Sequence, residues 1–170
     1  LGTKADTLLR LKSVLTSAKI QDVAAFSVAD WKANRTQVLK TVRAQFSGNA
    51  SKLIVRSSAR SEDTFNSSNA GVYESVLNVD IVSTLEDAII QVIASYVDCE
   101  SDDQVLIQPM LQGVRLSGVA FTRTLEYSAP FYVINFDRTG LTDGVTSGAS
   151  KDHFTLHLRR GVSPETVEMP

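Results

Sequence analysis

The spacing of apolar residues changes near Ser51, and this change restricts the fold more than any other feature of the sequence. Before Ser51, apolar residues recur at helical spacing, which is typical of helices packed on a core. After it, they form short runs and alternating stretches, which are typical of strands. Helices that precede the strands favour a layered α+β domain over a doubly wound parallel sheet. The sequence therefore predicts an α+β fold whose later strands are mostly antiparallel.

Two helices are predicted before Ser51. The first extends from about Thr3 to about Ala18, and we expect it to pack on the core through one apolar stripe: Leu8, Leu11, Val14, Leu15 and Ala18. The second begins after Ser27, whose hydroxyl forms a capping box with the carboxylate of Asp30. It ends at Gly48, because glycine readily takes the left-handed conformation that closes a helix.

The later part of the chain combines one helix with several strands. The helix is predicted from Leu85 to about Tyr96, with a capping box formed by Thr84 and Asp87. A polar loop, Ser57 to Asn69, follows the first of the predicted strands. The predicted strands are Leu53–Val55, Tyr73–Val79, Gln104–Leu111, Gly118–Thr122, Phe131–Phe136 and Phe154–Leu158.

Composition excludes several classes of protein. The 170 residues carry a net charge of -2, which does not favour nucleic acid as a partner. The apolar runs are too short for a membrane span, and the single cysteine, Cys99, allows no internal disulfide. The chain begins at Leu1 with no signal segment after it, and we expect it to be a piece of a longer protein.

The stretch from Ile54 to Gly71 has the chemistry of a phosphate site. A strand delivers Arg56, whose guanidinium offers a rigid fork of donors to phosphate oxygens. The hydroxyls and amides of a serine-rich loop add further donors, and Gly71 lets the backbone approach an anion closely. Composition alone equally allows a surface turn in which Arg56 forms a salt bridge.

Four segments together resemble the ATP-binding domain of phosphoenolpyruvate synthase and pyruvate phosphate dikinase. The longest, Val55 to Val79, reads V-R-S-S-A-x-x-E-D-x-x-x-x-S-x-A-G-x-Y-E-S-V-L-N-V. Leu1–Ala5 is similar to the family's G-G-K-x-A, Val105–Met110 to V-x-V-Q-x-M, and Leu116–Arg123 to S-G-V-x-F-T-R. The resemblance implies one partial, ATP-grasp-like domain over 1–170, with a mainly helical segment at 1–50 and a strand-rich nucleotide-binding part at 51–170.

The resemblance also implies roles for individual residues, all in binding ATP. Lys4 and Arg56 would hold the phosphates, and Gly71 would contact them through its backbone. Ser57 and Ser58 would add hydroxyl donors from the start of the serine-rich loop. Gln108 and Met110 would line the adenosine pocket. No residue of the chain is assigned as a catalytic nucleophile, because phosphoryl transfer depends mainly on positioning and on neutralising charge.

Some family features are changed or missing. Gly2 is the single glycine before Lys4, where the family has two, and Arg60 occupies a position where the family usually has a small residue. The stretch from Thr139 to Gly148 corresponds to the family's G-x-G-E-x-V-V-x-G but lacks its glutamate. The family's D-I-E-W and Q-x-R-P segments do not occur, so Mg²⁺ ligands are expected outside the chain. His153 and His157 lie in no phosphocarrier motif and are expected on the exposed face of a strand.

Three functions therefore compete. The first is the ATP-binding portion of a phosphotransferase, with a phosphohistidine domain and an acceptor-binding domain elsewhere in a longer, cytoplasmic chain. The second is a degenerate nucleotide-binding or scaffold module without turnover, which the changed positions support. The third is an unrelated sugar- or protein-binding α+β domain. The identity of the phosphoryl acceptor lies outside this sequence.

Overall fold

The computed structural model describes residues 2–48, 52–59, 73–96, 99–138 and 153–161, and the backbone alone at 63–64, 67–68 and 153. The chain divides into two compact units, Leu1–Met110 and Leu111–Pro170. The first unit combines helices with a four-stranded antiparallel sheet, and the second contains a three-stranded antiparallel sheet. The α+β prediction is confirmed. That both units belong to one partial domain stays a prediction.

The first unit is built around the strand order β1-β6-β2-β5. Its helices are α1 (Lys4–Lys12), α2 (Val28–Ala33), α3 (Arg35–Phe46) and α4 (Leu85–Ala94). The sheet strands are β1 (Ala24–Ser27), β2 (Leu53–Ser58), β5 (Ser75–Val79) and β6 (Gln104–Pro109). Two short strands, β3 (Asp63–Thr64) and β4 (Ser67–Ser68), pair with each other between β2 and β5.

The main core lies on one face of this sheet, beneath α2, α3 and α4. Their buried side chains pack against the alternate residues of β2 and β6 that point toward them, and the members of this core include Trp31, Leu39, Phe46, Leu53, Val55, Ile89, Val105 and Ile107. A smaller cluster covers the opposite face, where Ala5 packs with Val23 and Leu106. We call these two surfaces of the sheet the core face and the α1 face.

The first helix is shorter than predicted. It ends at Lys12, and only Ala5 is buried along its length. Leu8 is half-buried against the small cluster, whereas Val14 is 70% exposed and Leu15 is exposed as well. The predicted apolar stripe was therefore wrong beyond Leu8, because a short helix needs a packing surface to continue and the described part of the chain offers the last apolar residues none.

The second predicted helix is two helices that meet at Asn34. The capping box of Ser27 and Asp30 is present as predicted, and Gly48 has a positive φ of 90° just after α3. At Asn34 the backbone leaves the helical region, and the side chain accepts a hydrogen bond from the Gln37 amide. Asparagine side chains compete with helical hydrogen bonds in this way, which explains the break that the apolar pattern did not show.

Several strands and one cap also differ from prediction. The strands predicted at Tyr73–Val79 and Gln104–Leu111 are each two residues shorter in the structure. The strand β1 was not predicted, and β2 continues through Ser58, three residues past its predicted end. The helix α4 begins at Leu85, but Thr84 makes no side-chain cap. The predicted capping box with Asp87 was wrong, because the Thr84 hydroxyl instead accepts a hydrogen bond from the Asp80 amide at 2.8 Å.

The Asp80 carboxylate organises the turn before α4. Its Oδ1 accepts hydrogen bonds from the Ser83 and Val82 amides, each at 3.0 Å, and Lys52 Nζ lies 3.3 Å from Oδ2. The hydrogen bond from the Ser83 amide contributes most to holding the pKa of Asp80 well below its usual value, and the hydrogen bond from the Val82 amide contributes next. The depressed pKa stabilises the folded state above the unfolded value of 3.8, and this stabilisation is lost as the pH falls below it.

Replacing Asp80 with asparagine is therefore expected to lower the melting temperature at neutral pH. The difference between wild type and Asp80→Asn should shrink as the pH falls below about 3.8, because the Asp80 carboxylate of the unfolded chain then takes up a proton while that of the folded protein stays ionised. Thermal unfolding followed by circular dichroism at about pH 7, 5 and 3, which lie on both sides of the usual carboxylate pKa of about 3.9, measures this difference. An equal difference at every pH would contradict the role of the charge.

The second unit contains β7 (Ser117–Phe121), β8 (Phe131–Asp137) and β9 (His153–Arg159) in that spatial order. These strands match the predicted ones closely. The glycine of the S-G-V motif has a structural reason, since a Cβ at Gly118 would lie 2.4 Å from the Asn135 carbonyl oxygen. The His157 side chain is exposed as predicted, while the His153 side chain lies outside the described residues.

Candidate nucleotide-binding site

The pairing of β2 with β6 decides which predicted site residues share a face of the sheet. Residues directly opposite in an antiparallel pair point to the same side. Arg56 lies opposite Leu106, which is part of the buried cluster on the α1 face. Ser58 lies opposite Gln104, and Ile54 lies opposite Gln108. Arg56, Ser58 and Gln108 therefore belong to the α1 face, in consecutive rows.

Ser57 belongs to the opposite side of the sheet. It lies across from Val105, a member of the main core, and its side chain is buried. The two serines of the motif thus point in opposite directions, because successive strand residues alternate. Ser58 is also fully buried at 0% exposure. A contact between either hydroxyl and a phosphate would require this packing to change.

The start of α1 is fastened to the end of β2. Thr3 caps the helix, and its hydroxyl forms a capping box with Asp6. The Ala5 amide donates to Ser58 Oγ at 2.9 Å. Since Lys4 immediately precedes Ala5, and Arg56 lies two residues before Ser58 on the same face, this one hydrogen bond brings both predicted phosphate-binding residues to the same part of the α1 face.

Positive charge near the start of α1 comes mainly from the side chains of Lys4 and Arg56, and less from the amides of the helix end. Lys4 and Arg56 are both half-buried, which leaves part of each cation accessible. The amides of the first turn are partly occupied, because Ala5 donates to Ser58 and Asp6 donates to Thr3. An anion here would therefore depend on the lysine and arginine more than on helix amides, which bind anions when they are unpaired.

The two residues predicted near adenosine lie at the end of β6. Gln108 is half-buried on the α1 face, two positions along the strand from Leu106. Met110 follows the last strand residue and is also half-buried. Its amide donates to the Lys52 carbonyl at 2.8 Å, which extends the β2–β6 pairing by one step. The arrangement thus places a lysine, an arginine and a polar strand residue along one face.

A comparison with known protein families places the chain in one of them. The sequence model for the AMP/ATP-binding domain of pyruvate phosphate dikinase matches residues 13–101, just over half of the chain. The chain belongs to this family. It therefore represents the AMP/ATP-binding part of a kinase-type enzyme family. A search among curated proteins gives no match.

The family match covers some predicted site residues and omits others. Arg56, Ser57, Ser58 and Gly71 lie within residues 13–101, whereas Lys4, Gln108 and Met110 lie outside that range. Gly71 and Arg60 fall among residues that the structure does not describe, as does the glycine-rich stretch Thr139–Gly148. For Lys4 and Gln108, which lie outside the matched range, the α1 face supplies an independent reason to group them with Arg56.

Three further observations concern the described residues. Across the described residues, no three side chains of His, Cys, Asp or Glu form a group that could hold a metal ion. A cavity of about 520 Å³ lies along the edge strand β1, with Leu9, Phe26, Val38 and Thr41 among its lining residues. None of the predicted ATP-binding residues lines it. In the described part of the chain, no helix is long and apolar enough to cross a bilayer.

The sequence did not indicate the residues that fasten α1 to the sheet. The Gln104 side chain contacts Thr3 and Asp6, and the Tyr96 hydroxyl contacts the Ser58 amide. From the sequence, Gln104 was assigned only to a strand, Tyr96 only to a helix end and Thr3 only to a helix start. The T-x-x-D spacing of Thr3 and Asp6 could have revealed the cap, because this pattern is typical of a capping box. The contacts of Tyr96 and Gln104 join distant parts of the chain and leave no local pattern.

Proposed function

We propose that this chain is the ATP-binding portion of a phosphotransferase of the phosphoenolpyruvate synthase and pyruvate phosphate dikinase type. It holds the phosphates of ATP for transfer to a histidine on another domain of a longer, cytoplasmic protein. The observation that carries the proposal is the Ala5–Ser58 hydrogen bond, which groups Lys4 with Arg56 on one face of the sheet. The family match supports the nucleotide as ligand.

Each proposed contact follows from side-chain chemistry. Arg56 presents a planar fork that suits two phosphate oxygens at once. Lys4 adds a compact charge on a flexible stem, which can follow a phosphoryl group as it moves. Gln108 and Met110 line the base and ribose part of the site from β6. Gly71 contributes a backbone contact at the end of the serine-rich stretch.

The residues present fit a site in which Mg²⁺ arrives with the nucleotide. Magnesium prefers phosphate oxygens, waters and one or two carboxylates, and bound Mg²⁺ would neutralise part of the phosphate charge. Its protein ligands are proposed to lie outside this chain. Lys4 and Arg56 would then hold the phosphates from the α1 face.

Labelled ATP tests whether the protein transfers phosphate. We expect full-length protein incubated with ATP labelled at its β- and γ-phosphates to acquire an acid-labile, alkali-stable phosphoryl group, as phosphohistidine does. A panel of acceptors, including pyruvate, a glucan and a drug hydroxyl, would then identify the final acceptor. Saturable ATP binding without any labelled protein or acceptor would instead favour a degenerate nucleotide-binding module, which the changes at Leu1 and Arg60 also suggest.

A further inference from the structure

The Tyr96 hydroxyl closes the end of the β2–β6 pair. Ser58 and Gln104 lie directly opposite each other at this end. The Ser58 amide donates to the Tyr96 hydroxyl at 3.3 Å, and that hydroxyl donates to the Gln104 carbonyl at 2.5 Å. Tyr96 therefore bridges two backbone groups across the ladder, and the last pair of strand residues is held by a side chain from beyond α4.

Each member of this last pair also holds the start of α1 through its own side chain. Ser58 Oγ accepts from the Ala5 amide at 2.9 Å. The Gln104 side chain makes two contacts, accepting from Thr3 Oγ1 at 2.6 Å and donating to Asp6 Oδ1 at 3.3 Å. The contacts reach the residues on both sides of Lys4, so the backbone of Lys4 is fixed from either direction.

Burial makes these contacts hard to exchange for water. Ala5 and Ser58 are fully buried, and Thr3 and Tyr96 are each 6% exposed. A buried donor or acceptor that loses its partner carries the full cost of its lost hydration. The start of α1 is therefore held in one position relative to the strand that carries Arg56.

We propose that Ser58 and Gln104 are positioning residues that set the place of Lys4 relative to Arg56 for binding ATP phosphates. This inference rests on the proposed function. It assigns the buried Ser58 hydroxyl a role in holding α1, and it explains why a serine follows Arg56 by two positions in the same strand. Neither residue needs to touch the nucleotide for its replacement to weaken binding.

A double-mutant cycle in the full-length protein tests the proposal. ATP affinity is measured by calorimetry for wild type, Ser58→Ala, Lys4→Met and the double variant. Ser58→Ala is expected to weaken ATP binding about tenfold, because the Lys4 ammonium would no longer be held in place for its charge-assisted contact with the phosphates. In the Lys4→Met background it should have no further effect, because the group it positions is gone. Asn34→Ala is the control, since it removes a helix cap that contacts neither α1 nor β2.

The outcomes separate the proposal from a general loss of stability and from failure of the proposed function. Equal weakening by Ser58→Ala in both backgrounds, or weakening by Asn34→Ala of the same size, would overturn the positioning role. If Ser58→Ala does not fold, Gln104→Met removes the contacts to Thr3 and Asp6 and is expected to show the same coupling to Lys4.

Wild-type protein that does not bind ATP would overturn the proposed function, and this inference with it. ATP binding that depends on Arg56 but shows no coupling would overturn this inference alone.

Discussion

Replacing Arg56 with alanine is expected to weaken ATP binding by roughly 10- to 150-fold, because a charge-assisted hydrogen bond contributes about 1.5–3 kcal/mol. The loss arises because Arg56 is half-buried on the α1 face, where it shares the surface with the start of the lysine-bearing helix. Calorimetry on the full-length protein measures the change. The same variant should keep the wild-type melting temperature within a few degrees, since no side-chain hydrogen bond of Arg56 fastens the described fold.

Two further variants sharpen this prediction. Arg56→Lys should recover only part of the affinity, because a point charge cannot reproduce the two-pronged contact of a guanidinium. Arg10→Ala removes an exposed arginine from the last turn of α1 and controls for the loss of one positive charge. Its effect on ATP affinity should be small, because exposed charges at a distance are screened by salt. Unchanged ATP affinity in a folded Arg56→Ala variant would contradict a phosphate contact.

Replacing Lys4 with methionine is expected to lower turnover more than affinity. Removing a donor that acts on charge developing in the transition state typically lowers kcat by about 100-fold or more. The accompanying rise in the dissociation constant should stay within about tenfold, because the resting complex retains the contacts of Arg56. Single-turnover phosphoryl transfer and equilibrium binding, measured on the same full-length protein, separate the two effects.

The matched control for Lys4 lies on the same helix. Lys12 is exposed and pairs with Asp22 at 2.5 Å, so Lys12→Met removes a lysine from α1 without touching its anchored end. It should leave both turnover and affinity close to wild type, since exposed ion pairs contribute little. Lys4→Arg should recover little turnover, because a bulkier planar group cannot follow the phosphoryl group. If Lys4→Met changed binding alone, the passive nucleotide-binding module would be favoured.

Local signals predicted much of the fold. The capping box at Ser27 and Asp30 was visible because it depends on residues three apart. The strands of the second unit were found within a residue or so at each end. The two main errors in the helices had one tertiary and one local cause. The stripe beyond Leu8 is helical in spacing but lacks a packing surface, and Asn34 breaks a helix through its own side chain.

The candidate site was likewise predictable from the sequence only where local residue order specifies it. The motif around Arg56 was recognisable from residue order, and the family match agrees with it. The face on which Arg56 lies depends on the register between β2 and β6, which no short stretch of sequence specifies. Tyr96 and Ser58 are 38 positions apart, and Thr3 and Gln104 are 101 apart. Contacts at such separations are set by the folded chain as a whole.

The most direct test compares ATP with adenosine as ligands of the full-length protein. If Lys4 and Arg56 hold the phosphates, ATP should bind wild-type protein much more tightly than adenosine does. Arg56→Ala should lower the affinity for ATP and leave that for adenosine unchanged, so the ratio between the two dissociation constants should shrink toward one. The same ratio in wild type and in Arg56→Ala, or equal binding of ATP and adenosine by wild type, would contradict a phosphate site on this face of the sheet.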